Sequence, residues 1–560
     1  MSIPINMPTI SQGSGEPFAS CGQVKRNVPI SARWSIMSRR VKRRVHLAIL
    51  AALTVVLRLP YLTERSLWFD EASSWQTASF TFTDMMNSLR LNVHMPLYYV
   101  LLRAWMEGFG DSVASLRGLS VLFGTLSVVL MYEFGRELYL CSGATRKGHA
   151  SSPHFRGHEF ALMIAGLVAV SPFQVHAAIE ARMYSLGTAL TALSSWILLR
   201  ALRRVNSTAT WMAYSLASLA LLYTHHYGIL TVTVQYGFIL AYAIYRYATN
   251  ARDYARRLFF HAAGFGIATL VAYVPGLFIL LGQVKRVRED YWIRPMSWWT
   301  VPNTFSEFTV PFAHESGLGQ AGPYILLLFA ICCLVVANRG AKRGDAFVLI
   351  SAIGPMCLAA TISLATPIWY YRYFRFAHLF ILAAVVLATW RVTRTSPRAR
   401  AILFADLVVG MVLAYILFWK TLDIPNGPGP RGAVERILAM SRGGEIIVTT
   451  DYMQYFPAKY YVGGRGKVQL LWTGPDHAWG PHLVRPSDLI SPGELSNCLG
   501  SGVWVLSSTP RSAVLPSIDR LEPESSFTVP FYQPLHRTLY ANRYRVRSRP
   551  RGGPEHEYSH

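Results

Sequence analysis

Acidic side chains are scarce in this 560-residue chain: 30 Asp plus Glu stand against 54 Lys plus Arg, and charged residues of both signs make up only 15%. So little charge, beside 52% hydrophobic residues, excludes an ordinary soluble protein. It points to a polytopic membrane protein with room for one soluble domain of modest size. Cysteine is sparse too. Cys21, Cys141, Cys332, Cys333, Cys357 and Cys498 form no CxxC pair, and only Cys498 falls in the segment expected to be outside. Neither a thiolate metal site nor a structural disulfide is expected. A basic domain is also missing. The net charge of +24 comes mainly from short clusters between apolar runs, as membrane topology requires, and this argues against nucleic acid as a partner.

What is present is a series of apolar runs, at 45–62, 116–138, 160–178, 185–202, 211–223, 228–245, 259–281, 323–337, 347–365, 376–390 and 402–419. Each approaches the ~20 residues a helix needs to cross a bilayer, although 211–223 and 323–337 are short. About eleven spans are therefore expected. Residues 1–44 form a polar leader ending in Arg39-Arg40-Val41-Lys42-Arg43-Arg44, with Met37 as a candidate alternative start. The run after it begins too far in for a cleaved signal peptide and reads as a retained anchor.

Cationic segments at 39–44, 146–147, 203–204, 252–257, 339–343 and 391–400 fall in alternate connections. The positive-inside rule places them in the cytoplasm, and places the other loops and everything after Lys420 outside. The apolar segment 96–109 would invert that scheme if it spanned. It is short and holds Arg103 and Glu107, so it reads as an amphipathic helix at the outer surface.

The expected architecture is an all-α polytopic membrane domain over 45–420 followed by a small extracytoplasmic α/β domain over 421–560. A Gly/Pro linker at 426–432 leads to a helix at 433–440, a buried-strand run at 445–450 and strand candidates at 468–471, 503–506 and 540–546. This tail shows no Gly-rich phosphate loop, and its role is not legible.

The outward loops carry the unusual residues. The first holds Asp70-Glu71 beside Trp68, Phe69 and Trp75, then His94 and Tyr98; the second holds Glu180-Ala181-Arg182-Met183-Tyr184. The third holds His225-His226, the fourth Lys285, Arg286, Arg288 and Tyr291-Trp292, and the fifth Trp369 to Tyr373 with Arg372. Acids, cations and aromatics thus converge on one side, as a single site between helices requires. Tyr and Trp belts are normal at an interface, but a belt does not account for Asp70, Glu180, Arg182 and Arg372. Ionisable groups at membrane depth are expensive, so Asp70-Glu71 is a catalytic candidate.

The order Leu57-Arg58-Leu59-Pro60, Trp68-Phe69-Asp70-Glu71, His94-Met95-Pro96-Leu97-Tyr98-Tyr99, Leu116-Arg117, Ser171-Pro172-Phe173, Glu180 to Tyr184 and Thr224-His225 resembles the GT-C glycosyltransferases. The nearest groups are the protein O-mannosyltransferase-like and lipid A aminoarabinose transferase-like bacterial enzymes. The resemblance covers about 45–375. Arg431-Gly432-Ala433 resembles the outer tail of many bacterial members, with Pro430 where a Trp is usual, and Met95 stands in place of a common proline.

The resemblance implies a polyprenyl-phosphate-linked sugar as donor, hexosyl or pentosyl transfer outside a bacterial inner membrane, and an inverting displacement. Such a donor already has a good leaving group. The protein must activate an acceptor hydroxyl and receive the phosphate's charge. Asp70 is the expected general base. Glu71 either orients the acceptor, supports Asp70, or simply pairs with a nearby Arg.

Arg182 and Arg372, with Arg117 third, are the expected phosphate ligands, because a guanidinium fork binds two oxygens at once. His94 and Tyr98 sit one helical turn apart and are expected at the donor or at Asp70. Glu180, Tyr184, His225 and Tyr373 complete the substrate-binding set. His225 and His226 with Asp70 or Glu71 could bind a divalent metal, but their spacing demands none.

The alternative class is a lipid-linked sugar flippase or transporter. Such proteins tend to carry internal repeats and mid-membrane charges, whereas this chain shows no clear repeat and its charges lie at one mouth. The acceptor, whether lipid, protein or glycan, has no sequence signature.

Overall fold

A computed structural model of the protein describes residues 30–60, 62–142, 153–289, 292–313, 317–338, 342–422, 428–472, 483–509, 523–533 and 535–545. The chain divides into two compact units, 1–48 and 49–560. In the first, the described residues are helical and open the helix Ile30–Val56. All other elements belong to the second.

Each predicted apolar run falls wholly or largely on helix. Among the described residues, eight helices are long and apolar enough to cross a membrane: Val113–Cys141, Tyr184–Arg203, Tyr227–Ala248, Arg252–Val284, Leu318–Asn338, Arg343–Ser363, Tyr371–Val392 and Pro397–Thr421. The expected span at 160–178 is broken. Arg156–Val170 and Pro172–Ala178 meet at a 64° bend. Pro172 has no N–H to continue the first helix, and its fixed φ suits the first turn of a new one. The run 211–223 becomes the shorter helix Thr208–Leu222, and the first run stays helical only as far as Val56. Among the described residues, the spans by length and composition thus number eight, or up to nine with the bent pair, against about eleven expected.

Tyr371–Val392 is enclosed on most sides, while Pro397–Thr421 is exposed nearly all round, as suits a helix whose apolar surface meets lipid. Gly187 shows how closely the enclosed helix packs: a Cβ there would lie 2.4 Å from the Phe376 ring. That approach sets the Arg375 guanidinium 4.4 Å from the centre of the Tyr184 ring.

Between the first hydrophobic helix and Val113–Cys141 run three short helices, Phe69–Ala78, Phe82–Leu91 and Leu97–Phe109. Thr81 and Ser112 cap their neighbours by accepting the Asp84 and Ser115 N–H groups. The 13-residue Leu97–Phe109 is too short to span and buries Tyr98, Tyr99 and Leu102 along one face, the amphipathic helix expected at 96–109.

Beyond residue 428 the chain builds a six-stranded sheet from β1 (Ile446–Thr449), β2 (Val468–Leu471), β3 (Leu489–Ile490), β4 (Val503–Ser507), β5 (Ser525–Gln533) and β6 (Leu535–Tyr544), in the order β3-β2-β1-β4-β6-β5. The pairs β1–β2, β1–β4 and β2–β3 are parallel; β4–β6 and β5–β6 are antiparallel. Alternation sends Ile447, Trp504 and Leu506 to one face with Ala433, Val434, Ile437, Tyr455 and Phe456 of helices Gly429–Met440 and Tyr452–Val462. It sends Val448, Val503 and Val505 to the other, under Leu495 and Leu499. The first of these cores continues into Leu67, Ala72, Tyr98 and Leu116 of the helical part.

Candidate active site

The helix Phe69–Ala78 carries both acidic candidates in its first turn, where carboxylates also suit the helix dipole. They end up in different surroundings. Asp70 keeps 23% of its side chain exposed, with its Oδ2 3.8 Å from Arg182 Nη2. Glu71 is fully buried. Its two oxygens accept from Arg117 Nε and Nη2, both at 2.7 Å, and Oε1 also accepts the Ala181 N–H at 3.0 Å. Arg65 lies 3.9 Å away. Burial works against ionisation of Glu71, but Arg117, Arg65 and the Ala181 N–H together outweigh it and hold the carboxyl below its ordinary range.

Arg117 is saturated. Besides Glu71, its Nη1 donates to the carbonyls of Leu62 and Arg65 and its Nη2 to that of Ser66. All five guanidinium N–H groups are then used, leaving no donor for a phosphate. Arg182 is different. Its Nη1 donates to the Asp70 carbonyl, Ser74 Oγ and Tyr99 Oη at 3.2, 3.1 and 3.5 Å, and its Nη2 to His94 Nε2 at 3.1 Å. Its Nε is buried and has no hydrogen-bond partner among the described residues.

Because Arg182 can only donate, His94 Nε2 accepts, and the imidazole carries its proton on Nδ1. Burial first, then Arg182, His225 and His226, keep His94 neutral, well below its ordinary pKa. Burial, His226, Arg182 and Arg375 do the same to His225, whose Nδ1 accepts the Tyr227 N–H.

A second cationic corner surrounds Glu180. Arg372 Nη2 donates to both its oxygens at 2.6 and 2.7 Å, Arg375 Nη1 stands 3.5 Å off and His176 Nε2 3.1 Å off. Burial opposes the charge on Glu180, yet these three partners hold it ionised, well below the ordinary range. His176 Nδ1 takes a hydrogen bond from Arg375 at 2.9 Å, so this imidazole too is neutral, with its proton on the nitrogen facing Glu180. Arg372 lies over the Trp68 ring at 4.8 Å, which joins this corner to the residues entering the Asp70 helix. Arg372 Nε is likewise buried without a hydrogen-bond partner among the described residues.

These corners gather Arg65, Arg117, Arg182, Arg372 and Arg375 against Asp70, Glu71 and Glu180, an excess of two positive charges. Three of the arginines, Arg182, Arg372 and Arg375, hold buried donors without a hydrogen-bond partner among the described residues. Such an arrangement can receive an anion, and an exposed carboxylate beside it can take a proton.

The other expected residues fall as follows. Tyr184, His225 and Tyr373 form one aromatic group, with ring centres 5.1 to 6.4 Å apart. Tyr98 is fully buried in the apolar core, and its neighbour Tyr99 is the tyrosine that reaches Arg182. The helix begins only at Leu97, so the helical spacing assumed between His94 and Tyr98 does not exist.

For the metal set considered above, Glu71 is turned into its arginine pair and His226 Nε2 donates to the Val93 carbonyl. No group of three His, Cys, Asp or Glu side chains that could hold a metal converges among the described residues. The side chains of Lys285, Arg286 and Arg288, and Tyr291, lie outside the described residues. Ser74, Tyr99, His176 and Arg375 escaped the sequence reading. Their side-chain partners lie up to 199 positions away, and only the His-x-x-x-Glu spacing of 176 and 180 is visible in the sequence.

No protein-family profile and no curated protein sequence matches the chain. Solved structures do. ArnT from Cupriavidus metallidurans bound to undecaprenyl phosphate superposes with a TM-score of 0.52 at 15% identity, covering 91% of this chain and 99% of that one. The archaeal oligosaccharyltransferase AglB from Archaeoglobus fulgidus, in complex with an inhibitory peptide and a dolichol-phosphate, gives 0.50 at 12% identity over 84% of this chain and 70% of that one. The chain has the GT-C fold.

Proposed function

We propose that this chain is a multi-pass glycosyltransferase of a bacterial inner membrane, moving a sugar from a polyprenyl-phosphate donor to an acceptor hydroxyl on the extracytoplasmic side. The observation that carries the reading is the half-open Asp70 carboxylate beside buried arginines that are in charge excess and have unused donors. The undecaprenyl phosphate in ArnT, a chain of the same fold, supports a lipid phosphate as the anion.

In the reaction the acceptor oxygen bonds to the anomeric carbon as the bond from that carbon to the phosphate oxygen breaks. The acceptor proton passes to Asp70, and the polyprenyl phosphate departs with the electron pair. Arg182 and Arg372, with Arg375 behind them, receive its growing charge in a site that limits water. Glu71 and Arg117 act as a saturated pair that supports Asp70. His94 holds Arg182 without carrying charge itself. Tyr184, His225 and Tyr373 offer faces on which a sugar or isoprenoid can pack.

The test uses purified protein in nanodiscs with a panel of radiolabelled polyprenyl-phosphate sugars, following release of free polyprenyl phosphate. Release by the wild type that is lost in Asp70→Asn supports the reading and identifies the sugar. Release that persists in Asp70→Asn removes Asp70 as base. Transbilayer movement of the labelled lipid without release would replace the transferase with a flippase.

A further inference from the structure

The C-terminal domain has no part in the chemistry above, yet its helix Tyr452–Val462 lies against the helix that carries Asp70. The backbone between the first hydrophobic helix and Phe69 is non-repetitive, so its carbonyls have no ladder partners. Five consecutive ones are nevertheless taken, all by arginine. Arg117 holds Leu62, Arg65 and Ser66 from the helical side. Arg431, in the first turn of Gly429–Met440, holds Thr63 at 3.0 Å and Glu64 at 2.8 Å.

The next N–H, that of Leu67, donates to Tyr461 Oη at 2.7 Å. Ser66 Oγ donates to the Pro428 carbonyl at 2.6 Å and accepts the Arg431 N–H at 3.2 Å. Aromatic contacts continue the seam: Phe69 meets Phe456 at 5.8 Å, and Trp75 meets Tyr460 edge-on at 5.1 Å.

We propose that Arg431 and Tyr461 are positioning residues for Asp70, and that the C-terminal domain fixes the catalytic carboxylate by clamping the strap at 62–68. Two arginines from opposite sides immobilise the strap, and the inner one is itself anchored on Glu71, next to Asp70. A strap held from one side only regains backbone freedom. A carboxylate displaced by ~1 Å loses rate steeply, by about 10²-fold in strong cases, without losing affinity for a ligand held elsewhere. The phosphate-facing Arg182 and Arg372 touch this segment through the Asp70 carbonyl and the Trp68 ring, but they come from other segments and are also held by His94 and Glu180, so donor binding depends on the clamp less than the carboxylate does. This inference rests on the transferase reading for its effect on turnover, but not for the clamp itself.

The experiment compares Arg431→Ala, Arg431→Lys and Tyr461→Phe with wild type, full-length in nanodiscs. It reads hydrogen exchange across 62–71, donor-lipid Kd and kcat. Arg431→Ala should speed exchange in 62–68 and lower kcat about tenfold, with a much smaller change in Kd. Arg431→Lys should restore only part, because an ammonium lacks the planar fork that holds two carbonyls. Tyr461→Phe, which loses one hydroxyl, should show the same pattern more weakly. Unchanged exchange in Arg431→Ala and Tyr461→Phe overturns the proposal, as does faster exchange with wild-type kcat. Lack of turnover by the wild type on every donor counts against the proposed function; the exchange comparison then decides the clamp by itself.

Discussion

Asp70 and Glu71 are adjacent in sequence and sit on the same helical turn, yet they occupy opposite environments. Glu71 is sealed from water with every acceptor direction filled by Arg117, Ala181 and the neighbouring backbone. Asp70 is part-exposed, and its closest cation stands beyond hydrogen-bond distance at 3.8 Å. The arginines divide the same way, Arg117 saturated and Arg182 with a donor to spare. A group whose hydrogen bonds are complete is equipped to hold structure. One whose bonds are incomplete, at a solvent-accessible point, is equipped to act on something that arrives.

The largest effect expected from this contrast is on turnover. Asp70→Asn should lower transfer by about 10²- to 10⁴-fold, the usual range for a positioned general base. Thermal stability should stay within ~0.5 kcal/mol, because a part-exposed carboxylate in a loose ion pair contributes little. Glu71→Gln should do the reverse. It strips the charge from a buried pair and leaves the Arg117 guanidinium uncompensated, for which about 3–5 kcal/mol is typical. Thermal unfolding of both variants in detergent checks the pair; a destabilised Asp70→Asn with a stable Glu71→Gln would invert the assignment.

The contrast also shows what a sequence can carry. The acidic pair, the arginine-bearing second loop and the tyrosine-rich fifth loop were visible because they stand out against a chain with little charge. Which carboxylate would be sealed was not visible, since it depends on Arg117 arriving from 46 positions away and Arg372 meeting Glu180 across 192. The helical spacing expected between His94 and Tyr98 does not hold, because the helix starts at Leu97 with Pro96 as its cap and leaves His94 outside it. The helical part was legible because the bilayer imposes long apolar runs. In the tail, β2 matches its predicted range, whereas Ser525–Gln533 and the helix Tyr452–Val462 went unread, each containing a proline that argues against regular structure.

A smaller effect separates the arginines. Arg372→Ala should weaken binding of a polyprenyl-phosphate sugar about ten- to a hundredfold as well as slowing turnover, through loss of a charge facing the phosphate. Arg117→Lys, read on its folded fraction, should leave donor affinity unchanged while lowering stability. Direct lipid-binding measurements on both variants give the answer, and equal losses of affinity would place Arg117 at the phosphate after all.

The smallest effect concerns the imidazoles. His94 is held neutral by burial and by the Arg182 hydrogen bond, and His225 by burial and its cationic neighbours. Unfolded, each takes up a proton near pH 6.5; folded, only at much lower pH. Below ~6.5 the unfolded chain therefore binds more protons, and stability falls as pH falls, by at most about 1.4 kcal/mol per pH unit for each group. His94→Gln offers Arg182 a comparable acceptor that cannot be protonated. Its stability should decline less than the wild type's between about pH 7 and pH 5, with transfer near the wild-type rate at neutral pH. Superimposable pH profiles would mean that His94 takes up its proton at the same pH folded and unfolded. Arg182 would then lose its acceptor as the pH falls through that point, and with it the neutral support that leaves its own charge available to a phosphate.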